Sequence, residues 1–200
     1  MQHYFIDKQH EETDFFEFKD NIFDIELCFR SCDSIFSKNK IDDGTRSLLN
    51  AIQKHCELNG YGLDVGCGLG VIGIALAKKF NLKLDMIDVN KTAVQLSREN
   101  VSKNNLQRNL NVFHSDGFSE VQDNYDFIVT NPPIKTGKQL LFKLMEDAHL
   151  HLKENGLIVL VIRKDHGMES LKKHLINLFG NCEIIDRNKG YYILQSQKLS

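Results

Sequence analysis

The sequence predicts an α/β sandwich, a mainly parallel sheet covered by helices on both faces. Three observations carry this expectation. From residue 61 onward, short apolar runs alternate with segments of helical periodicity. Residues 157–162 follow a glycine and are all apolar, the pattern of a strand buried on both faces in the middle of a parallel sheet. Gly66, Gly68 and Gly70 fall between the first such run and the helix after it, where sheets of this kind turn around a ligand.

Taken in order, residues 15–19 and 22–29 are apolar-rich runs joined by Asp20-Asn21, which predicts an N-terminal hairpin. Asp42-Asp43-Gly44-Thr45 precedes Leu48, Leu49 and Ile52 at helical spacing, so a helix is expected over about 45–58. Strands are expected at 61–65, 82–89 (ending on Asp88), 111–114, 125–130 and 156–162. Helices are expected at 71–80, 92–104, 138–152 and 168–179. Residues 182–186 and 191–194, parted by Asn188-Lys189-Gly190, read as a final hairpin. No repeat or low-complexity stretch interrupts this order. Ligands of such sheets sit beyond the carboxyl ends of the strands, so the loops after Val65, Ile87, His114 and Val129 are expected to build the site.

The chain has 200 residues, 42% hydrophobic and 26% charged, which excludes a disordered or fibrous protein. The size fits one domain, with 1–44 as hairpin and substrate-side extension and 45–200 as catalytic core. A net charge of −2 excludes binding of nucleic acid through the whole surface. The charge is uneven, however: residues 1–30 hold three basic and eight acidic side chains, and residues 131–200 hold 11 basic and seven acidic. A polyanion would therefore be met by a local patch in the last third of the chain. Five cysteines, an odd number without a regular framework, point to a reducing compartment. Cys28 and Cys32 lack a second pair to complete a zinc site, so no metal is expected. No basic region followed by an apolar run opens the sequence, and no run approaches the roughly 18 apolar residues of a membrane helix. A cytoplasmic protein without membrane contact is expected.

Three motifs carry chemistry. Residues 63–70 read Leu-Asp-Val-Gly-Cys-Gly-Leu-Gly, and Gly68-Leu-Gly70-Val-Ile-Gly73 also matches the dinucleotide fingerprint. Alone, that match fits close packing of helix on strand equally well. Asp64 lies inside the strand end; a carboxylate there opposes a pyrophosphate and suits an ammonium group, directly or through water. This favours S-adenosylmethionine over NAD. Asp88 and Asp116 stand at the ends of the second and third strands, where carboxylates can accept from ribose hydroxyls and from an adenine amino group. Each alone also fits a cap or turn. The third motif is Asn131-Pro132-Pro133-Ile134, which holds both prolines of the chain. Proline stiffens this backbone and removes the local donor, so the Pro132 carbonyl is free to face a cleft. Together with the Asn131 side-chain oxygen it makes two acceptors for the two hydrogens of an NH₂ group. Orienting such a nitrogen for in-line attack, with dipoles aimed at the charge it develops, suits methyl transfer to nitrogen without a strong base.

These residues resemble those of class I S-adenosylmethionine-dependent methyltransferases, and in particular small-domain relatives of the small-subunit ribosomal RNA guanine-N2 methyltransferases. Ile35-Phe-Ser-Lys, Asp43-Gly-Thr, residues 63–77, Asp88-Val-Asn90, His114-Ser-Asp116, residues 131–138, residues 161–164 and Gly190-Tyr191 carry the likeness. It implies a Rossmann-like fold with a seven-stranded sheet in order 3-2-1-4-5-7-6 and one antiparallel strand. It implies that Asp64, Gly66, Cys67, Gly68, Gly70, Asp88, Val89, Asn90, Asp116, Gly117 and Asn131 hold the cofactor, S-adenosylmethionine. Asn131, Pro132 and Pro133 would hold the target amine, with Ile134, Lys135, Lys138, Arg163 and Lys164 on the substrate side. RNA, free or in a ribosomal particle, is the expected partner. Many amino-methylating enzymes carry an aromatic where this chain has Ile134, which leaves the base open. A protein glutamine or a small molecule as acceptor, a non-catalytic cofactor- or RNA-binding module, and a nicotinamide oxidoreductase are the other readings of the same residues.

Overall fold

A computed structural model describes residues 15–33, 40–132 and 137–199. The hairpin β1 (Phe15–Ile22) and β2 (Ile25–Cys32) comes first, followed by α1 (Asp43–His55). Strand β3 (Tyr61–Val65), helix α2 (Val71–Phe80), strand β4 (Lys83–Asp88), helix α3 (Lys91–Lys103) and strand β5 (Leu110–His114) alternate. Then come β6 (Tyr125–Thr130), α4 (Gly137–His151), β7 (Leu152–Arg163), a single 3₁₀ turn, α5 (Met168–Phe179), β8 (Glu183–Asn188) and β9 (Tyr191–Gln197).

The main sheet runs β5-β4-β3-β6-β7-β9-β8. Numbered within the sheet, that is the expected order 3-2-1-4-5-7-6. Only β9 is antiparallel to its neighbours. The order reverses between β3 and β6, the point at which sheets of this kind take their ligands. Helices α1, α2 and α3 bury Leu48, Ile74 and Val94 against one face of the sheet. Helices α4 and α5 bury Met145, Ala148, Leu171 and Leu175 against the other. Helix α2 is apolar almost all round, with residues 72–77 all buried. It therefore needs cover on two sides, and the second cover is the hairpin.

Two sequence expectations need correction here. The hairpin turn is not Asp20-Asn21 but Phe23-Asp24, at φ 56° and 61°, as a two-residue turn between right-twisted strands requires. Packing overrides turn propensity: Phe23 is buried with its ring 5.7 Å from that of Phe80. The Asp20 carboxylate serves instead as partner to Arg46 and to the Ile41 N–H. The hairpin side chains Ile22, Phe23, Leu27 and Phe29 belong to the core. Burying Leu27 and Phe29 contributes about 1.5–3 kcal/mol each. Strand β7 begins four residues earlier than expected, at Leu152, which pairs with Tyr125 across an irregularity in register.

Two asparagines one turn apart, Asn100 on α3 and Asn104 at its C-cap, dock the hairpin. Asn100 Oδ1 accepts from the Arg30 N–H (2.6 Å) and its Nδ2 donates to the Arg30 carbonyl (3.1 Å). Asn104 repeats the pattern on Cys28, at 3.2 and 2.8 Å. These amides stand in for a missing neighbouring strand. Replacing Asn104 by Ala strands a backbone N–H and carbonyl, and urea unfolding should show a loss of about 1–3 kcal/mol. A loss below about 0.5 kcal/mol would mean that the apolar face alone holds the hairpin.

Candidate active site

The carboxyl ends of β3, β4, β5, β6 and β7 lie along one edge of the sheet. Val65 stands beside Ile87 on one side and Thr130 on the other, and Asp88 stands beside His114. The Thr130 hydroxyl donates to the Val65 carbonyl at 2.8 Å, which ties the two strands at their carboxyl ends. Gly66, Asp88 and Asn131 thus follow strand ends that are neighbours.

The glycine loop turns through left-handed backbone at Gly66 (φ 71°), Gly68 (54°) and Gly70 (84°). No atom lies within 4 Å of where a Cβ on Gly66 or Gly68 would sit, so bare backbone faces open space. At Gly70 a Cβ would collide with Ser97 Oγ (2.6 Å) and Met86 Cε (2.8 Å), so that glycine serves packing. The loop N–H groups are already engaged. Gly66 and Cys67 both donate to the Ile87 carbonyl at 2.9 Å, and Gly68 donates to Asp88 Oδ2 at 2.9 Å. Backbone N–H groups that would face a pyrophosphate are thus turned inward at Gly66, Cys67 and Gly68.

Asp88 also accepts from the Asn90 N–H, at 2.8 Å through Oδ1. Each carboxylate oxygen retains a lone pair, so the group is fixed in place and still able to accept from a diol. Val89 follows with 59% of its surface exposed, a bare apolar shelf beside the acid. Asp116 is exposed after β5, and Gly117 turns at φ 55° with open space beside it. Asn90 is otherwise occupied, because its Oδ1 caps α3 by accepting from Thr92 and Ala93.

Asp64 departs from expectation. It is fully buried, and its Oδ2 accepts from the Gly73 N–H in the first turn of α2 (3.0 Å). It ties strand to helix rather than presenting itself to a ligand. Its Oδ1 is buried with no hydrogen-bond partner among the described residues. Burial pushes this carboxyl up to about 7; the Gly73 N–H opposes the shift and the nearby Asp88 charge adds to it. Cys67 is also buried, and burial holds its thiol well above its usual range, so it is a neutral packing group.

At the end of β6 the Asn131 amide nitrogen donates to Asp42 Oδ1 (3.2 Å) and Thr45 Oγ1 (3.0 Å), at the start of α1. Pro132 is buried behind it. Pro133, Ile134 and Lys135 lie outside the described residues. A cavity of about 190 Å³ opens beside Asn131 and Pro132, walled by Leu141, Phe142, Ile162 and Tyr191. Lys138 Nζ stands 5.3 Å from the Phe142 ring centre and the Arg163 guanidinium 5.6 Å from that of Tyr191. Arg163 pairs with Asp165 at 3.1 Å, whereas Lys138 and the exposed Lys164 have no ion pair among the described residues. Sequence reasoning gave no role to Asp42, Thr45, Phe142 or Tyr191. The Asp-x-x-Thr cap spacing before α1 signalled the first two, and Thr45 and Tyr191 also lie in stretches that carry the family likeness.

The family model for the methyltransferase small domain matches residues 26–195. The chain is 36% identical to an uncharacterised protein, YbxB, of Bacillus subtilis, over 99% of both chains. It is 35% identical to ribosomal RNA small subunit methyltransferase C of Aliivibrio fischeri, over 84% of this chain and 49% of that one. The chain therefore spans about half the length of the ribosomal RNA methyltransferases it matches. Among solved structures, a T. thermophilus 16S rRNA N2 G1207 methyltransferase, in complex with AdoMet and guanosine, superposes with a TM-score of 0.83. The likeness is at 23% identity over 92% of this chain and 50% of that one.

The Asp64 carboxyl yields a pH test. Folded, it keeps its proton to about pH 7; its ordinary value is 3.8. Its raised value favours the folded chain fully below about pH 4, and this contribution is lost as pH rises through about 7. Asp64→Asn keeps an acceptor for Gly73 without a charge to bury. Its melting temperature should exceed that of the unmodified chain at pH 8, by a margin that closes toward pH 5. A margin independent of pH would contradict a buried, titrating Asp64.

Proposed function

Since the chain belongs to the methyltransferase small domain family, we propose that it transfers a methyl group from S-adenosylmethionine to an exocyclic amino group of RNA, best suited to guanine N2 of small-subunit ribosomal RNA. The observation that carries this reading is the position of Asn131. It follows the strand beside the glycine loop and also walls the aromatic cavity, which supports a role between a cofactor at the loop and a base in the cavity. The relatives named as small-subunit ribosomal RNA methyltransferases, and the neighbour bound to AdoMet and guanosine, support the same assignment.

The residues present fit the cofactor. Open backbone at Gly66 and Gly68 accommodates a close approach, Asp88 has lone pairs for the ribose hydroxyls, and Val89 offers an apolar surface to the adenine. Asp116 would accept from the adenine amino group. When bound, S-adenosylmethionine supplies a methyl carbon made electrophilic by its sulfonium. The chain supplies orientation: Asn131 Oδ1 and the Pro132 carbonyl accept the two hydrogens of the target amine and direct its lone pair away from them. Positioning of this kind lowers the barrier by several kcal/mol, and the two dipoles stabilise the positive charge that grows on nitrogen. The methylated nitrogen is acidic and loses its proton to solvent, so no strongly basic side chain is required.

A base reaches such a pocket by leaving its stack. Tyr191 and Phe142, whose ring also stacks on His174, supply the aromatic walls that Ile134 lacks, and Lys138 and Arg163 stand at the rim for flanking phosphates. Lys164 and Lys135 would add to them.

Incubation with methyl-labelled S-adenosylmethionine and RNA or small ribosomal subunits from cells lacking this gene tests the proposal. Label should enter RNA as N2-methylguanosine, and less of it should enter as salt rises. Label confined to a ribonuclease-resistant protein band would instead favour a glutamine acceptor, and no label in either would refute methyl transfer. Asn131→Ala should lower turnover by about 10²-fold or more, measured by the same transfer. Asp88→Ala should weaken S-adenosylhomocysteine binding by about 10–10²-fold in calorimetry.

A further inference from the structure

We infer that Asp42 and Thr45, at the start of α1, are positioning residues that hold the Asn131 amide in one of its two orientations, with Oδ1 turned to the acceptor and reserved for an N–H donor. The inference rests on the reading of Asn131 above and adds what makes it selective.

A carboxamide turned by 180° exchanges a double donor for an acceptor, with almost no change of shape. At the end of a strand nothing intrinsic fixes that choice. Here both Asn131 N–H bonds have acceptors, Asp42 Oδ1 at 3.2 Å and Thr45 Oγ1 at 3.0 Å. The turned amide would set its oxygen against the Asp42 carboxylate, acceptor on acceptor, and lose that bond; the Thr45 hydroxyl, which can donate as well as accept, adds to the lock as the second acceptor of the unturned NH₂.

The acceptors are themselves fixed. Asp42 Oδ1 also takes the Thr45 N–H at 2.9 Å, the N-cap bond of α1, so the carboxylate cannot swing away without uncapping the helix. Thr45 is buried, and the preceding Ile41 N–H is held by Asp20 of the hairpin. Gly44 makes the junction sterically possible. A Cβ there would lie 3.0 Å from Asp42 Oδ1, 3.0 Å from Tyr191 Cε1 and 3.4 Å from Asn131 Nδ2.

The consequence concerns substrate choice. No described residue donates to Asn131 Oδ1. A locked oxygen welcomes an amine or amide hydrogen and repels the lone pair of an unprotonated ring nitrogen. Asp42 and Thr45 thereby select an NH₂ acceptor without touching it.

The full chain is assayed with labelled S-adenosylmethionine and RNA from cells lacking the gene. Thr45→Val removes the hydroxyl at constant shape and should lower kcat by about 10-fold or more, with the KM for S-adenosylmethionine and the melting temperature unchanged. Thr45→Ser should restore kcat. Asp42→Ser keeps a capping oxygen but cannot reach Asn131, and it should fall as Thr45→Val does. Normal kcat in Thr45→Val and Asp42→Ser beside an impaired Asn131→Ala overturns the lock and leaves the function proposed above standing. Normal kcat in Asn131→Ala overturns both. A fall in melting temperature and a rise in KM that track the loss of kcat would also overturn it, as the mark of a structural strut. A readout independent of RNA is the Asn131 side-chain ¹⁵NH₂ signal, assigned by its loss in Asn131→Ala. Its hydrogens should exchange slowly with solvent, and fast in Thr45→Val; fast exchange in the unmodified chain refutes the lock.

Discussion

The loop between β3 and α2 directs its own N–H groups inward, and the carboxyl edge of the sheet is organised by that fact. Gly66 and Cys67 donate to the end of β4, and Gly68 donates to Asp88. These bonds pull the loop across the β3–β4 boundary and leave the glycine backbone bare on the outside. They also aim the Asp88 carboxylate with its free lone pairs outward. In the function proposed above, that carboxylate would receive the hydroxyls of a ribose.

The loop is in turn held by the outermost part of the fold. Asn100 is fully buried, and its Nδ2 donates both to the Arg30 carbonyl of the hairpin and to the Leu69 carbonyl of the loop (2.9 Å). On the other side of the hairpin, Asp20 holds Arg46 and the Ile41 N–H next to the cap of α1. The hairpin reaches the chemistry through these two buried or half-buried contacts, although it contributes no lining to the cavity. Covering α2 and fixing the entry to α1 are one task in this molecule.

Much of this was legible in the sequence because local and global signals agree. Helices 71–80 and 168–179 begin and end where the apolar periodicity does, and residues 157–162 lie in a central strand. Asp88 and Asp116 stand at strand ends because the strand lengths are set by their own apolar runs. The failures share one cause, a tertiary partner that overrides local chemistry. Arg46 and Ile41 claim Asp20, so Phe23-Asp24 makes the turn. Gly73 claims Asp64, so a carboxylate expected at the ligand is sealed in the interior. The contact of Asn131 with Asp42 and Thr45 spans 89 and 86 residues, and no spacing rule reaches that far. Phe142 and Tyr191 come from α4 and β9 and meet only through the sheet order.

The proposed function needs the methyl donor and the aromatic cavity to meet at the Asn131 amide, and a crystal structure with S-adenosylmethionine bound tests this most directly. The sulfonium methyl should face the Asn131 side-chain oxygen across the mouth of the cavity between Phe142 and Tyr191, with the ribose on Asp88. A cofactor seated away from the glycine loop, or one whose methyl points away from residue 131, would contradict it.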